Sequence, residues 1–404
     1  MTSENVRMRK RPSTILMLVM LALTLGCSAS GPRQGTDTPA LPQANYWVYV
    51  GAESADRIHR VRFGPDGIEV ERTTSIGRLP TEIEGPHGLA VSPDGRHLYM
   101  TTGHGVPDGH FWKLEIGPDV PVAEPILLGR FPATLDVTPD GLYAFIVNFD
   151  LHGAMAPSTM SVVYTPQVVE VEQIELCTMP HGVRIHPSGL HAYTVCMMDD
   201  QLVEVDTRTF EVSRRFSLAQ SQEGPIEADH AGEHHGGRPG GMHHGPAAQT
   251  PSHGASCSPT WAVPAPDGDR IYVACNVSDE VLEVSTDEWR LVRRFSTGRG
   301  PYNLAVTADG RLLVATLKQG DAVEFFDLES GKSLGRRPTS TRVVHGVTIS
   351  PDDRYAFVSV EGIGMEPGKV DVFDLSVLER VASAQVGQQA SGIDFYRMEE
   401  VAGH

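Results

Sequence analysis

One phrase recurs six times along the chain, and this repeat constrains the fold more than any other feature. Each copy contains a short apolar segment, a turn at Pro-Asp-Gly or a close variant, and a second apolar segment. These turn residues favour a tight hairpin, because Asp suits an early turn position and Gly accepts a positive φ. The copies are GPHGLAVSPDGRHLYMTT, FPATLDVTPDGLYAFIVN, MPHGVRIHPSGLHAYTVC, SPTWAVPAPDGDRIYVAC, GPYNLAVTADGRLLVATL and VVHGVTISPDDRYAFVSV.

Two more segments follow in most copies, with alternating apolar and polar residues. Each unit is therefore predicted to form four short antiparallel strands. The residue after the first proline, or its equivalent, marks the register of the repeats. It is His87, Ala133, His181, Thr260, Tyr302, His345 and, in a last partial copy, Ser391. The successive spacings are 46, 48, 79, 42, 43 and 46 residues, and the longest includes an insertion.

The seventh unit is divided between the two ends of the chain. Its first strand is SGIDFYRM near the C-terminus, and its other strands are YWVYVGA, DRIHRVRF and IEVERTTSI, which end at about Ile76. A blade shared by both termini removes the open edges that a linear array of sheets would expose. The sequence therefore predicts an all-β fold: a seven-bladed β-propeller of four-stranded antiparallel blades over residues 45–398, followed by a tail at 399–404.

The repeats resemble the bacterial YVTN β-propeller family, the surface-layer and YncE-like group, over about residues 45 to 397. The segment IYVACNVSDEVLEVST is similar to the strand-turn-strand phrase of that family. The resemblance implies the fold but not the activity, because propellers carry many unrelated functions.

The N-terminus is typical of an exported protein. Residues 1–26 are predicted to be a signal peptide, since a basic stretch is followed by an apolar run too short to span a bilayer comfortably. The end of this run resembles a bacterial lipobox, which implies lipidation of Cys27; an ordinary secretory signal cut nearby is the alternative. Residues 27–44 are rich in small and polar residues and are predicted to be a flexible tether. The expected location is the periplasmic or cell-surface side, with membrane contact through the lipid anchor only.

The net charge of −18 at pH 7 argues against a nucleic-acid partner, because phosphate binding needs a basic surface. Expected partners are envelope or periplasmic proteins, and the chain is expected to be a monomer. No Cys-x-x-Cys-His motif is present in the sequence, so covalent haem is not predicted.

Three histidines occupy the same register position, at the face of the channel where first strands begin. With blades about 51° apart, His87, His181 and His345 would sit about 103°, 154° and 103° from one another. Neutral imidazole is a common metal ligand, and nitrous-oxide reductase, another seven-bladed propeller, is similar in holding copper with histidines around its axis. The alternative is that Pro-His-Gly was copied with the repeat and each imidazole bonds to the backbone.

Further candidate ligands lie in loops on the same face. His104 and His152 follow the second strands of the first two repeats. The insertion at 220–256 contains His230, His234, His235, Met242, His243, His244 and His253. His together with Met outside the cytoplasm favours copper, with zinc or nickel as alternatives. A polar loop that binds metal only adventitiously remains the other interpretation.

Four cysteines remain once Cys27 is set aside, an even number for an oxidising compartment. Cys177 and Cys257 precede the first strands of successive blades, and Cys196 and Cys275 end the second strands of those blades. Two disulfides, Cys177–Cys196 and Cys257–Cys275, are predicted. A thiolate copper site that uses Cys196 with Met197 or Met198 is the alternative.

The functional hypotheses are therefore an exported propeller that binds a transition metal, a protein-interaction or cell-surface scaffold, a copper-dependent oxidoreductase with a histidine site at the channel mouth, and a lactonase. The sequence leaves open whether the protein is an enzyme. No nucleophile–base pair is visible in the pattern, so catalytic residues are not assigned.

Overall fold

The computed structural model describes residues 42–79, 81–104, 108–151, 153, 155–227 and 254–401. These residues form seven antiparallel sheets, five of four strands and two of five. One turn of 3-10 helix, Glu53–Ala55, is the only helical element in these ranges, and no helix there is long and apolar enough to cross a bilayer. The predicted signal peptide, Cys27 and most of the insertion lie outside the described residues.

The blades are numbered 1 to 7 by the order of their innermost strands along the chain, and each is given from its innermost strand outward. Blade 1 contains Pro86–Val91, His97–Thr102 and Asp108–Glu115, with Val120–Pro121 and Ile126–Arg130 both paired to the third strand. Blade 2 contains Pro132–Val137, Tyr143–Asn148, Pro157–Tyr164 and Val169–Thr178. Blade 3 contains Pro180–Ile185, His191–Cys196, Gln201–Asp206, Glu211–Ser217 and Gly224–Ile226.

The remaining blades have four strands each. Blade 4 contains Pro259–Pro264, Arg270–Cys275, Glu280–Ser285 and Leu291–Ser296. Blade 5 contains Pro301–Val306, Leu312–Leu317, Ala322–Asp327 and Lys332–Pro338. Blade 6 contains Val344–Ile349, Tyr355–Val360, Lys369–Asp374 and Glu379–Gln385. Blade 7 contains Ala390–Glu400, Ala44–Ala52, Arg57–Gly64 and Gly67–Ser75.

Blade 7 closes the propeller with both ends of the described chain, as the repeat predicts. Its second strand pairs with the C-terminal strand, where Val48 lies opposite Phe395 and Val50 opposite Ile393. Val48 and Val50 are fully buried and pack in one cluster with Phe357 of blade 6. The seven-bladed all-β fold is therefore confirmed, including a closing blade in which the termini meet.

Two disulfides hold the blade junctions near the channel mouth, and both predicted pairs are confirmed. Cys177 is bonded to Cys196, and Cys257 to Cys275, across 19 and 18 residues of sequence. All four sulfurs belong to buried residues in the cores between blades. Because Cys196 is bonded to another cysteine, it offers no thiolate for the alternative copper site.

Partly buried carboxylates clamp neighbouring blades at the channel wall. Asp394 of blade 7 accepts a hydrogen bond from the backbone N–H of Val91 in blade 1, at 2.7 Å. Asp136 of blade 2 accepts one from Ile185 in blade 3, at 2.8 Å. These bonds join innermost strands whose own ladder hydrogen bonds run only within their blades. Asp394 therefore stabilises the junction between the first and last blades.

The Asp394 clamp predicts that stability rises as the pH falls. Burial raises the pKa of Asp394 to about 6, although the bond from Val91 lowers it in part. A folded-state pKa above the unfolded value destabilises the folded chain at neutral pH, and this penalty is removed as the pH falls from about 6 towards the unfolded pKa of about 4. Because the side chain is only partly buried, we expect the free energy of unfolding of wild type, relative to Asp394→Asn, to rise by about 2 kcal/mol between pH 7.5 and 4.

Urea unfolding of both chains across this pH range measures that difference. Asp309→Asn provides the control, because hydrogen bonds, first from Thr307, lower the pKa of Asp309. The wild-type advantage over this control should fall, not rise, as the pH decreases. A flat difference for Asp394→Asn would show that the Asp394 pKa is unshifted in the folded chain.

Candidate functional site

The channel mouth is surrounded by an inner ring of side chains, one from the second residue of each innermost strand. The inner ring consists of His87, Ala133, His181, Thr260, Tyr302, His345 and Ser391. Its three histidines are all buried. The ring centroid of His87 lies 5.3 Å from that of His345 and 6.4 Å from that of His181. Tyr302 packs against His345 with centroids 4.9 Å apart, so the imidazoles converge at the axis.

An outer ring surrounds the inner one, and it is formed by the residue that directly follows each second strand. The outer ring consists of Glu53, Gly103, Phe149, Met197, Asn276, Lys318 and Glu361. A backbone hydrogen bond to the segment before the innermost strand fixes these positions, as in the bonds from Lys318 to Gly300 at 2.8 Å and from Glu361 to Val343 at 2.8 Å. Three outer-ring members are charged, and all three lie beside the histidines.

Glu53 is the anionic centre of the mouth. The 3-10 turn begins at this residue, and its side chain is only 2% exposed. Its Oε1 accepts a hydrogen bond from Nδ1 of His87 at 2.7 Å. Its Oε2 accepts one from Gln389 at 3.1 Å and contacts Nδ1 of His104. Burial raises the pKa of Glu53, but the two imidazoles lower it further, so the net pKa is far below the usual range and the carboxylate is ionised.

Glu53, His87 and His345 form a group that can hold a metal ion. Each offers one ligand atom, and the three atoms lie within 4.8 Å of one another. Two imidazoles and a carboxylate suit zinc, copper, nickel or iron. Among the described residues, Nε2 of His87 and Nδ1 of His345 are buried nitrogens without a hydrogen-bond partner. Burial above all, then the charge of Lys318, lowers the pKa of His345, which keeps its imidazole neutral and able to bind metal.

His181 lies beside this group but both of its ring nitrogens have protein partners. Nδ1 donates to the carbonyl oxygen of Thr260 at 2.7 Å, and Nε2 accepts from the hydroxyl of Tyr302 at 3.2 Å. Burial lowers the pKa of His181 to about 3. A carbonyl oxygen can only accept, so the proton is held on Nδ1. His181 therefore holds the Tyr302 side chain in place by a hydrogen bond. The third ligand beside His87 and His345 is Glu53.

A partly buried cation and a second carboxylate border the same group. Nζ of Lys318 lies 2.7 Å from Oε1 of Glu361 and 4.2 Å from the centre of the Tyr302 ring. Nε2 of His345 is 4.0 Å from the same Glu361 oxygen. Burial lowers the pKa of Lys318, but Tyr302 and Glu361 raise it further, so its net pKa lies above the usual range. The Lys318–Glu361 ion pair therefore lies beside the Nε2 edge of the His345 ring.

The other predicted ligands fall into two sets. His104 is brought to the site, where its contact with Glu53 raises its pKa despite burial. His152, His230, His234, His235, Met242, His243, His244 and His253 lie outside the described residues. The structure therefore joins three of the sequence-predicted histidines with a carboxylate that the sequence analysis did not select.

Glu53, Lys318 and Glu361 were missed because they stand in loops without a histidine motif. A signal for them exists in the repeat, since all three follow a second strand directly. Across the seven units this position makes up the outer ring, where three residues are charged and the other four are Gly, Phe, Met and Asn. The residue after each second strand is therefore as informative as the second residue of each first strand, because the repeat places both on the face of the propeller where the channel opens.

Comparisons with known proteins agree on the fold. No protein family model matches the chain. A seven-bladed β-propeller protein of Mycobacterium tuberculosis is 31% identical over 99 residues, which cover 24% of this chain and 25% of that relative. The match therefore spans about a quarter of the relative's length.

Two solved structures share the architecture. The periplasmic gluconolactonase PpgL of Pseudomonas aeruginosa superposes with a TM-score of 0.64 at 18% identity, over 87% of this chain and 99% of that one. Hydrazine synthase of Kuenenia stuttgartiensis gives a TM-score of 0.54 at 18% identity, over 75% and 81% of the two chains. At these identities the likeness concerns the fold, and the function has to be argued from the channel mouth.

Proposed function

We propose that the protein is an exported β-propeller that binds one divalent transition metal at its channel mouth, with Glu53, His87 and His345 as ligands. The observation that carries the proposal is the approach of the three ligand atoms to within 4.8 Å in a buried site. Copper(II) is the expected ion, with zinc or nickel as alternatives, because imidazole and carboxylate ligands suit all three.

The surroundings support a site that binds metal tightly. His87 and His345 project from innermost strands, and Glu53 is fixed by hydrogen bonds to its backbone and side chain. His104 contacts Oε2 of Glu53, whereas His87 bonds to Oε1, so each carboxylate oxygen has an imidazole partner. Ligands held on strands and supported by neighbours are positioned before the ion binds, and the main change on binding is the opening of the hydrogen bond between Glu53 and His87.

Export and anchoring belong to the same proposal. Two disulfides suit an oxidising compartment outside the cytoplasm, and the signal-like N-terminus with Cys27 suits a lipid-anchored chain. In this setting the His and Met residues of the 220–256 insertion would collect copper ions or receive them from envelope proteins and pass them to the mouth. The chain is proposed to act as a monomer, in the YVTN/YncE-like group that its repeats resemble.

Metal retention with and without the insertion tests the proposal. The mature chain from Ser28, produced in an oxidising compartment, is compared with a chain in which a short glycine linker replaces residues 228–253. After dialysis against copper, zinc or nickel and then against metal-free buffer, we expect about one copper per chain in both. If the chain that lacks residues 228–253 retains no metal, the binding site lies in the insertion, which would favour metal storage or transport. A chain that retains no metal in either form would instead be a scaffold.

Hydrolysis of a sugar lactone is the second candidate. It is favoured by the Lys318–Glu361 pair beside His345, which provides a partly buried cation and a carboxylate next to an imidazole. The fold shared with the periplasmic gluconolactonase of P. aeruginosa also favours it. Assays of gluconolactone hydrolysis on the metal-free and copper-loaded chains separate the candidates. Hydrolysis that needs no metal would favour the lactonase.

A further inference from the structure

A small cavity lies in the channel one step below the histidines of the inner ring. Its volume is about 20 Å³, which is enough for one water molecule but not for an organic ligand. The cavity is lined by His87, Gly88, Leu89, Thr134, Leu135, Arg184, Trp261, Asn303, His345, Gly392 and Ile393. Apart from the two histidines, these residues lie one to three positions after the inner ring along the innermost strands.

The cavity exists because of the residues that directly follow each inner-ring residue along the innermost strands. That position is Gly88, Thr134, Gly182, Trp261, Asn303, Gly346 and Gly392 in the seven blades. Glycine in four of the seven blades withdraws the side chains that would otherwise fill the channel. Trp261 and Asn303 are the two large polar side chains of this layer. Blades 4 and 5 therefore supply the large polar side chains of this layer.

Four residues that line the cavity each have a buried polar atom without a hydrogen-bond partner among the described residues. These atoms are Nε2 of His87, Nε1 of Trp261, Oδ1 of Asn303 and Nδ1 of His345. The four residues are at most 6% exposed. Buried polar atoms are nearly always paired, and an unpaired one is costly. The two imidazole nitrogens can bind the metal ion, and the other two atoms, on Trp261 and Asn303, indicate a polar ligand within the water-sized space.

The chemistry of these atoms limits what that ligand can be. The indole N–H of Trp261 can only donate, and the guanidinium of Arg184 stacks over the indole at 4.4 Å. A ligand in the cavity must therefore accept a hydrogen bond beside a positive charge. Water and hydroxide meet this requirement and can also donate to Oδ1 of Asn303. A monoatomic anion meets it when the Asn303 amide turns its NH2 group to the cavity, and the apolar Leu135 and Ile393 exclude anything larger.

We propose that the cavity is the exchangeable coordination position of the metal ion, occupied by water or a small anion that accepts a hydrogen bond from Trp261. This inference rests on the proposed function. Three protein ligands leave a fourth position on a four-coordinate ion, as in catalytic zinc and related sites. Glu53, with Gln389 and His104 behind it, occupies the outer side of the group. His87 and His345 border both Glu53 and the cavity, so the fourth position faces the cavity.

Fluoride binding to the copper(II)-loaded full mature chain tests the inference, because fluoride is close to water in size and accepts hydrogen bonds. Electron paramagnetic resonance of the copper should show splitting by the fluorine nucleus that saturates on titration. Trp261→Phe keeps the ring under Arg184 but removes the N–H. This change should weaken fluoride binding about tenfold, the effect of one hydrogen bond to an anion, and leave the copper content unchanged.

Trp112→Phe is the matched control, because its indole donates to Thr102 and does not line the cavity. It should bind fluoride like the wild type. Copper without fluorine splitting in the wild-type chain would overturn the inference and leave the proposed function intact, whether or not Trp261→Phe folds. Equal fluoride affinity in Trp261→Phe and wild type would place the exchangeable position elsewhere. A wild-type chain that retains no copper would overturn the proposed function itself.

Discussion

A chain in which His87 and His345 are both replaced by glutamine is expected to lose tight copper binding, whereas a chain with His181→Gln is expected to retain it. All three histidines occupy the inner ring, but only the first two belong to the group with Glu53. Outer-shell partners of a metal typically contribute 10- to 100-fold to its affinity, so removal of two direct ligands should weaken binding by more than about 100-fold. His181 already bonds to Thr260 and Tyr302 through both nitrogens.

A competition titration against a chelator of known copper affinity measures this effect. His181→Gln is the matched control, because it removes a buried imidazole from the same ring and loses two hydrogen bonds. It should melt at a lower temperature and still bind copper with nearly the wild-type affinity. Wild-type affinity in the His87 and His345 double variant would place the ion outside the mouth. If His181→Gln loses copper but melts normally, the result would instead support a site formed by all three histidines of the inner ring.

The fold could be predicted because its determinants are local and repeated. Each copy of the hairpin phrase fixes two strands, and the spacing of the copies fixes the number of blades. The split blade followed from a first strand at Ser391 without companions and three strands from Tyr46 without a partner. The two disulfides could also be predicted, since the repeat places Cys257 and Cys275 at the same end of one hairpin.

The site was only partly predictable, because its chemistry arises from contacts between blades. Register placed His87 and His345 in one ring, but equal spacing around the axis says nothing about which ring nitrogens are already bonded. The bond that engages Nδ1 of His181 comes from a carbonyl of the next blade, and no side-chain pattern reports it. Glu53 belongs to the blade that joins the two ends of the chain, so it lies 34 residues before His87 in sequence and beside it in space.

Removal of the C-terminal strand is expected to have the largest effect on stability. A chain that ends at residue 388 lacks Ala390–Glu400, which pairs along the whole length of Ala44–Ala52. The strand that remains would expose an unpaired edge, and the core between blades 6 and 7 would lose Ala390 and Ile393. The Asp394 clamp to blade 1 would be lost as well. Because domains are stabilised by only about 5–15 kcal/mol, we expect no cooperative unfolding transition.

Thermal unfolding followed by circular dichroism measures this loss. The matched control ends at Val401 and removes only residues 402–404, so it should melt like the full chain. Addition of a synthetic peptide of residues 389–401 should restore a cooperative transition in the truncated chain, because the missing strand then pairs from outside. A truncated chain that melts cooperatively within a few degrees of the control would show that closure contributes little to stability.

The same truncation connects closure to the metal site. Gln389 directly precedes the closing strand, accepts a hydrogen bond from the backbone of Glu53 at 3.0 Å and donates one to its carboxylate at 3.1 Å. Pairing of the two termini thus places the only carboxylate of the ligand group against His87. The truncated chain should therefore bind copper weakly even where its remaining blades persist, and the peptide should restore folding and copper binding at the same concentration. Restoration of folding without copper binding would show that the site does not depend on the position of Glu53.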